Sequence, residues 1–174
     1  MNCATGTCPE CKVTVGAIVV TRNLHHLFIL YEEGERKIVY RGGPSRNSAY
    51  AEATQAGIAQ EWAVDGGFWN TPLPFGFLAS HRMEGEDRNY DLDNMVASRV
   101  IAEGSQHCGL DPTFTSWTAR IGLAGRNYNL PNLMDTNNSN AFVRTVLHGM
   151  NLPEEKPDVD APGWDTILSL EEGR

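Results

Sequence analysis

Three β-rich segments follow one another closely between residues 13 and 41, and this run constrains the fold more than any other feature. Residues 13–21 and 24–31 are dominated by apolar and β-branched side chains, and residues 36–41 form a third such segment. Residues 32–35, Glu-Glu-Gly-Glu, have the composition of a hairpin turn. The sequence therefore predicts three sequential antiparallel strands, interrupted at the Arg-Gly-Gly-Pro-Ser stretch that begins at Arg41.

Two helices are predicted further along the chain. Apolar residues recur at helical spacing after the polar run Asn-Asn-Ser-Asn at 137–140, and Gly149 followed by Pro153 gives a stop signal, so a helix should begin near Ser139. Residues 93–104 are interpreted as another helix with one apolar face, preceded by the acidic Tyr-Asp-Leu-Asp-Asn. The apolar residues concerned are Met95, Val96, Val100 and Ile101 in the earlier helix and Phe142, Val143, Val146 and Leu147 in the later one.

The alternation of strand and helix blocks predicts an α+β fold, with an antiparallel sheet packed on helices. A further strand is expected at residues 126–130, a helix or edge element at 49–60, and an aromatic, glycine-rich loop at 62–74. The whole chain, 1–174, is expected to be a single domain. It would have a cysteine-containing N-terminal segment at 1–12 and an extended acidic tail at 153–174, whose proline-rich part should lie on the surface.

The charge balance excludes some classes of partner. The formal net charge is -8, which disfavours nucleic acid because a phosphate backbone needs a basic face. The apolar run at 13–20 is short, is broken by Thr14 and Gly16, and lacks a basic leader, so neither a membrane span nor a cleaved signal peptide is predicted. The expected location is the cytoplasm, or the outside of the cell after export without a cleaved leader.

The four cysteines allow several interpretations. Cys8 and Cys11 are separated by two residues, a spacing that suits zinc binding or a redox pair, and Cys3 with His107 or Cys108 could complete four ligands. A thioredoxin-type motif would stand after a strand, whereas here a strand follows it. Three alternatives remain open: ordinary thiols, a structural zinc ion, or a disulfide. No other cofactor is expected.

A nucleophile at a helix N-terminus lies in the positive end of the helix dipole, and a histidine on an adjacent strand can take its proton. The residues "YNLPNLMDTNNSNAFVRTVL" resemble the Asn-Cys-Asn-x-Phe segment of the permuted papain-like PPPDE peptidases. Ser139 stands where those enzymes have cysteine, and Asn138, Asn140 and Phe142 match its neighbours. His26 precedes "LFIL" as the family histidine precedes its strand, which favours it over His25. The chain also resembles bacterial NlpC-like proteins of the same permuted order, some of them toxin-like.

The resemblance implies a papain-like amidase or peptidase, in which residue 139 attacks an amide, isopeptide or peptidoglycan peptide bond. His26 would act as general base, and backbone amides at the helix start would bind the oxyanion together with Asn138 and Asn140. Asp91 is a candidate to orient the histidine, and Arg41 to bind an anionic substrate group. A bacterial antibacterial effector with an immunity or secretion partner is consistent with this resemblance.

Structural roles compete with each catalytic one. Ser139 could be a helix cap, His26 a solvent-facing strand residue, and Asp91 and Asp93 helix caps. A serine at position 139 has three explanations: a native nucleophile, a native residue in a domain that no longer catalyses, or an engineered Cys→Ser change. The alternatives to a hydrolase are a non-catalytic binding module on the same fold and a zinc-stabilised interaction domain built around Cys8 and Cys11.

Overall fold

The computed structural model describes residues 10–21, 24–44, 78–124, 128 and 137–170. Within these ranges the chain forms a five-stranded antiparallel sheet and three α-helices. The strands are β1 (Cys11–Thr21), β2 (Leu24–Glu33), β3 (Arg36–Pro44), β4 (Leu78–Glu84) and β5 (Met95–Glu103), and the helices are α1 (Asn89–Asp93), α2 (Asp111–Leu123) and α3 (Ser139–Gly149). The strand order across the sheet is β4-β3-β2-β1-β5. The α+β class predicted from the sequence is confirmed.

The predicted three-strand run is confirmed as β1, β2 and β3, but the predicted interruption at Arg41 is wrong. β3 continues to Pro44, because its last residues pair with β4, in a register that joins Arg41 to His81. The glycines serve close packing here. A Cβ on Gly42 would lie 2.7 Å from the Cβ of Phe142 in α3, so the helix can approach this part of the strand only where the side chain is missing.

The predicted helix at 93–104 is also wrong, since most of it is strand β5, which pairs with β1. The register contains an irregularity at Ile101: Val13 pairs with Ala102, while Thr14 pairs with Val100. Such a bulge interrupts the alternation of inward and outward side chains, so the apolar residues no longer show the period of two that identifies a strand. The acidic residues before it form the short helix α1 instead of a cap.

The sheet buries side chains on both faces. The face that packs against α2 and α3, called here the helix face, carries the main core, and its buried members include Val13, Val15, Leu27, Ile29, Tyr31, Ile38 and Tyr40 together with Phe114, Phe142, Val143, Val146 and Leu147 of the helices. The opposite face carries a smaller cluster, consisting of Ile18, Phe28, Leu30 and Val39, with Met83, Leu92 and Met95 packed against it. The helix predicted near Ser139 is confirmed, and its apolar face covers the sheet.

The proline-rich part of the tail has little regular structure, as expected, but it does not lie wholly on the surface. Pro157, Ala161 and Trp164 are buried, and Trp164 belongs to the main core. The tail therefore forms part of the surroundings of α3. The predicted elements at 49–60, 62–74 and 126–130 lie outside the described residues, except that Tyr128 packs against the core without belonging to a strand.

Candidate functional site

The sheet divides at one end, because β2 and β3 are paired over only part of their lengths. Their register ends at the pair Ile29–Tyr40. Beyond that pair, β2 remains bonded to β1 and β3 remains bonded to β4. The two strand ends therefore form a fork, with residues 24–28 on one arm and residues 41–44 on the other.

Helix α3 begins at this fork, and Asn140 in its first turn binds the free edge of β2. The side-chain oxygen of Asn140 accepts a hydrogen bond from the Leu27 N–H at 2.8 Å, and its amide nitrogen donates to the His25 carbonyl at 3.0 Å. The same nitrogen donates to the Pro162 carbonyl at 2.9 Å. Asn140 thus takes the place of a neighbouring strand and holds β2 on both sides of His26.

Asn138 caps the helix, so Ser139 does not. The Asn138 side-chain oxygen accepts from the N–H groups of Asn140 at 2.9 Å and Ala141 at 3.1 Å, and its backbone carbonyl accepts from Phe142 at 2.9 Å. Asn138 therefore binds the N–H groups of Asn140 and Ala141 but not that of Ser139. The flanking asparagines therefore have separate structural tasks, and the cap role weighed for Ser139 belongs to Asn138.

Ser139 and His26 are brought to the same fork, but no hydrogen bond joins them in the described part of the chain. Ser139 is 4% exposed, and its hydroxyl makes a long contact of 3.4 Å with the Asn140 side-chain oxygen. His26 shares the parity of Phe28 and Leu30, which pack on the opposite face, so the pleat directs its ring away from α3.

The His26 imidazole is neutral at physiological pH and has an unused nitrogen. Nε2 is buried and has no hydrogen-bond partner among the described residues. Burial, together with the neighbouring charges of Arg41 and His81, lowers the pKa of His26 to about 3, and burial is the largest of these causes. The ring is therefore able to accept a proton, although a base with so low a pKa is weak.

Arg41, on the other arm of the fork, forms an ion pair with Asp91 of α1. The distance from Nη1 to the Asp91 Oδ1 is 2.8 Å, and Asp91 is 0% exposed. Burial raises the pKa of the Asp91 carboxyl, and the pairing with Arg41 opposes that shift. The described partner of Asp91 is thus Arg41, rather than His26 as expected of a third catalytic member, and neither Asp91 nor Asp93 caps a helix, since both lie inside α1.

The sequence interpretation missed His81, which stands opposite Arg41 in the register of β3 with β4. His81 shares the parity of Met83, which packs on the opposite face. The same alternation places His26 and Arg41 on that face. The sequence carried no clear strand signal here, because apolar and polar residues do not alternate along "LASHRME".

The cysteines form a different feature, remote from the fork along β1. Cys11 and Cys108 are joined by a disulfide, and their sulfur atoms with a carboxylate oxygen of Glu33 lie within 4.8 Å of one another. A disulfide sulfur offers no thiolate to a metal ion, so Cys8 and Cys11 cannot act together as zinc ligands while this bond is intact. Of the three alternatives, the disulfide applies to Cys11, and Cys8 lies outside the described residues.

No helix among the described residues is long and apolar enough to cross a membrane. No protein-family model, curated protein or solved structure matches this chain.

Proposed function

We propose that this chain is a hydrolase of permuted papain-like organisation, which cleaves an amide bond through residue 139 with His26 as the proton acceptor. The observation that supports it best is the pair of hydrogen bonds from Asn140 to β2 on both sides of His26. This arrangement holds the helix turn that bears the nucleophile against the strand that bears the base. Neither the Ser139 hydroxyl nor His26 Nε2 is used for that purpose, so both stay available for chemistry.

The first turn of α3 supplies the electrostatic part of the proposal. The positive end of the helix dipole favours the negative charge that develops on a carbonyl oxygen under attack. Asn138 already occupies the N–H groups of Asn140 and Ala141, which makes them poor oxyanion donors. The N–H of Ser139 is therefore the backbone donor that we assign to the oxyanion.

In the proposed reaction, the Ser139 oxygen attacks the carbonyl carbon of the substrate and His26 Nε2 takes the hydroxyl proton. The tetrahedral intermediate collapses as the protonated imidazole gives that proton to the leaving amine, and water then hydrolyses the acyl group by the same steps in reverse. The low pKa of His26 makes the substrate-free site a resting form. A substrate that raises this pKa would activate the base.

Peptides, isopeptides and peptidoglycan peptides are the substrates that the resemblance suggests, and we retain them as the proposed class. The disulfide between Cys11 and Cys108 adds a physical argument, because such bonds persist in oxidising surroundings. It favours action outside the cytoplasm, in line with an antibacterial effector that has an immunity or secretion partner.

A non-catalytic binding module on the same fold is the second candidate. One observation favours it: the Ser139 hydroxyl lies 3.4 Å from Asn140 Oδ1 and makes no described contact with an imidazole. Serine is also a weak nucleophile without an assisting base. The two candidates differ in whether a nucleophile at position 139 responds to His26, and that difference can be measured.

The test is the Ser139→Cys variant, since a thiol at this position should report on its surroundings. Its pKa should be depressed by the helix N-terminus and by an ion pair with His26, which would become protonated as the thiolate forms. Thiolate absorbance and the rate of alkylation by iodoacetamide would be followed against pH, with peptide mapping to separate residue 139 from the native cysteines.

Two histidine variants make the comparison specific. Adding His26→Ala should raise the pKa of the introduced thiol and slow its alkylation at neutral pH, leaving only the effect of the helix N-terminus. Adding His25→Ala should change it little, because the described hydrogen bond of the His25 ring is with the Asp160 carbonyl, at 3.1 Å from Nδ1. If the thiol reacts at an ordinary rate and is indifferent to His26, the hydrolase proposal is wrong and the binding module is the better account.

A further inference from the structure

Arg41 has binding capacity that its described ion pair does not use. A guanidinium group has five N–H donors, and the contact with Asp91 involves Nη1 alone and only one carboxylate oxygen. The Arg41 side chain is 28% exposed, whereas the carboxylate is completely buried. Arg41 is thus held by a buried carboxylate while part of its side chain is exposed to solvent. Its unused N–H groups can therefore bind a second anion in bidentate geometry.

Among the described residues, Arg41 has one ion-pair partner, Asp91, and shares its face of the sheet with histidines. His26 and His81 lie on this face, and the charge of His81 lowers the pKa of His26 in the same direction as that of Arg41. Asp91 supplies the described counter-charge, and burial disfavours its charged form.

The position of Arg41 relates it to the proposed reaction. It follows the last pair of β2 with β3, at the base of the fork, and the next residue, Gly42, packs against Phe142 in the first turn of α3. Its charge also acts on His26 across the fork. A group bound to Arg41 would therefore lie at the fork, on the face of the sheet that carries the His26 ring.

We infer that the substrate carries a carboxylate, which pairs with Arg41 in the fork beside residue 139. This inference rests on the proposed function for its reaction, but not for the binding itself. It also gives the resting site a means of activation. A bound carboxylate would neutralise the charge of Arg41, remove one cause of the depressed His26 pKa, and make His26 a stronger base only when substrate is present.

The carboxylate could be a peptide C-terminus or an acidic side chain, and small probes distinguish the two. N-acetylglycine presents the first, the α-amide of N-acetylglutamic acid, whose side-chain carboxyl is free, presents the second, and N-acetylglycinamide presents neither. The protein would be the full chain carrying Ser139→Ala, so that no probe is consumed. The pKa of His26 would be read from its imidazole NMR signals with and without each probe.

The expected result is that a carboxylate probe raises the His26 pKa and the neutral amide does not. Arg41→Gln should raise this pKa in the free protein and reduce carboxylate affinity about 10- to 100-fold, as expected for a charge-assisted hydrogen bond. Arg41→Lys keeps the charge and should retain part of the response. Arg99→Gln is the matched control, because Arg99 is exposed and pairs with Glu155.

The outcomes separate this inference from the hydrolase proposal. If neither carboxylate changes the His26 pKa more than the neutral amide does, Arg41 is only a structural partner of Asp91, and the inference fails even where the introduced thiol depends on His26. If the carboxylate response is present and requires Arg41 while the thiol shows no dependence on His26, an anion-binding module remains and the hydrolase proposal fails.

Discussion

Asn140→Leu should be among the most destabilising substitutions in the described part of the chain. Leucine has a similar size and no polar atoms, so it removes the bonds to Leu27, His25 and Pro162 without opening a large cavity. The Pro162 carbonyl keeps a second donor, the Asn138 side chain at 3.0 Å. The Leu27 N–H and the His25 carbonyl lose the partner that α3 provides.

The size of the effect follows from those two groups. A buried polar group left without a partner costs about 1–3 kcal/mol, so for two groups we expect the free energy of unfolding to fall by about 2–6 kcal/mol. Asn140→Asp should be as harmful at neutral pH, because its carboxylate would face the His25 carbonyl without a proton to donate. The pKa of this carboxyl would be raised, so part of the lost stability should return as the pH falls through that raised value.

Urea denaturation of each variant would provide the measurement. Asn94→Leu is the matched control, since Asn94 is exposed and donates a single described side-chain bond to the Tyr90 carbonyl. It should change the free energy of unfolding by no more than about 0.5 kcal/mol. If Asn140→Leu lowers the free energy of unfolding by less than about 1 kcal/mol, the hydrogen bonds of Asn140 do not hold α3 to β2 as argued.

Three further predictions concern the approach of α3 to β3, the charge of the buried histidine, and the disulfide. Gly42→Ala should lower the free energy of unfolding in urea by about 1–3 kcal/mol, because the added methyl would meet Phe142 at 2.7 Å. Gly43→Ala should cost less, because its methyl would meet the end of the His81 ring at 3.3 Å, and equal losses would contradict the packing argument. In the unfolded chain His26 binds a proton below its ordinary pKa of 6.5, whereas in the folded chain it does so only near 3, so the free energy of unfolding should fall by up to about 1.4 kcal/mol per pH unit as the pH drops from 6.5 to 3. His26→Gln should make the free energy of unfolding less dependent on pH in this range. Replacing Cys11 and Cys108 together by alanine opens a link across 97 residues and should cost about 4–5 kcal/mol, and a reductant should have the same effect on the unchanged chain but none on the variant.

The sequence determined the features that depend on neighbours along the chain. The strand character of residues 13–41 follows from apolar, β-branched runs separated by turn residues, and those residues form β1, β2 and β3. The start of α3 at Ser139 and its end at Gly149 follow from a polar cap, a helical apolar period and a glycine stop. The importance of the Asn-Ser-Asn tripeptide was also visible, because a cap needs only one such residue.

Only the tertiary structure decided how distant segments pair. Residues 95–103 have apolar side chains that satisfy a helical period, and it is their bonding to β1, with a bulge at Ile101, that makes them a strand. Arg41 was expected to mark a break in the sheet. Its segment instead continues along β4 and leaves β2, which creates the fork that α3 enters.

The roles inside the candidate site depend on the same long-range contacts. Local sequence makes any one of the residues 138–140 a credible cap, and only the fold shows that Asn138 caps while Asn140 binds β2. Likewise, nothing near Asp91 in the chain indicates that its partner is Arg41, 50 residues away. Backbone propensity acts over a few residues, whereas burial and hydrogen-bond satisfaction are settled by whatever the fold brings together, so side-chain roles become definite only when the core has closed.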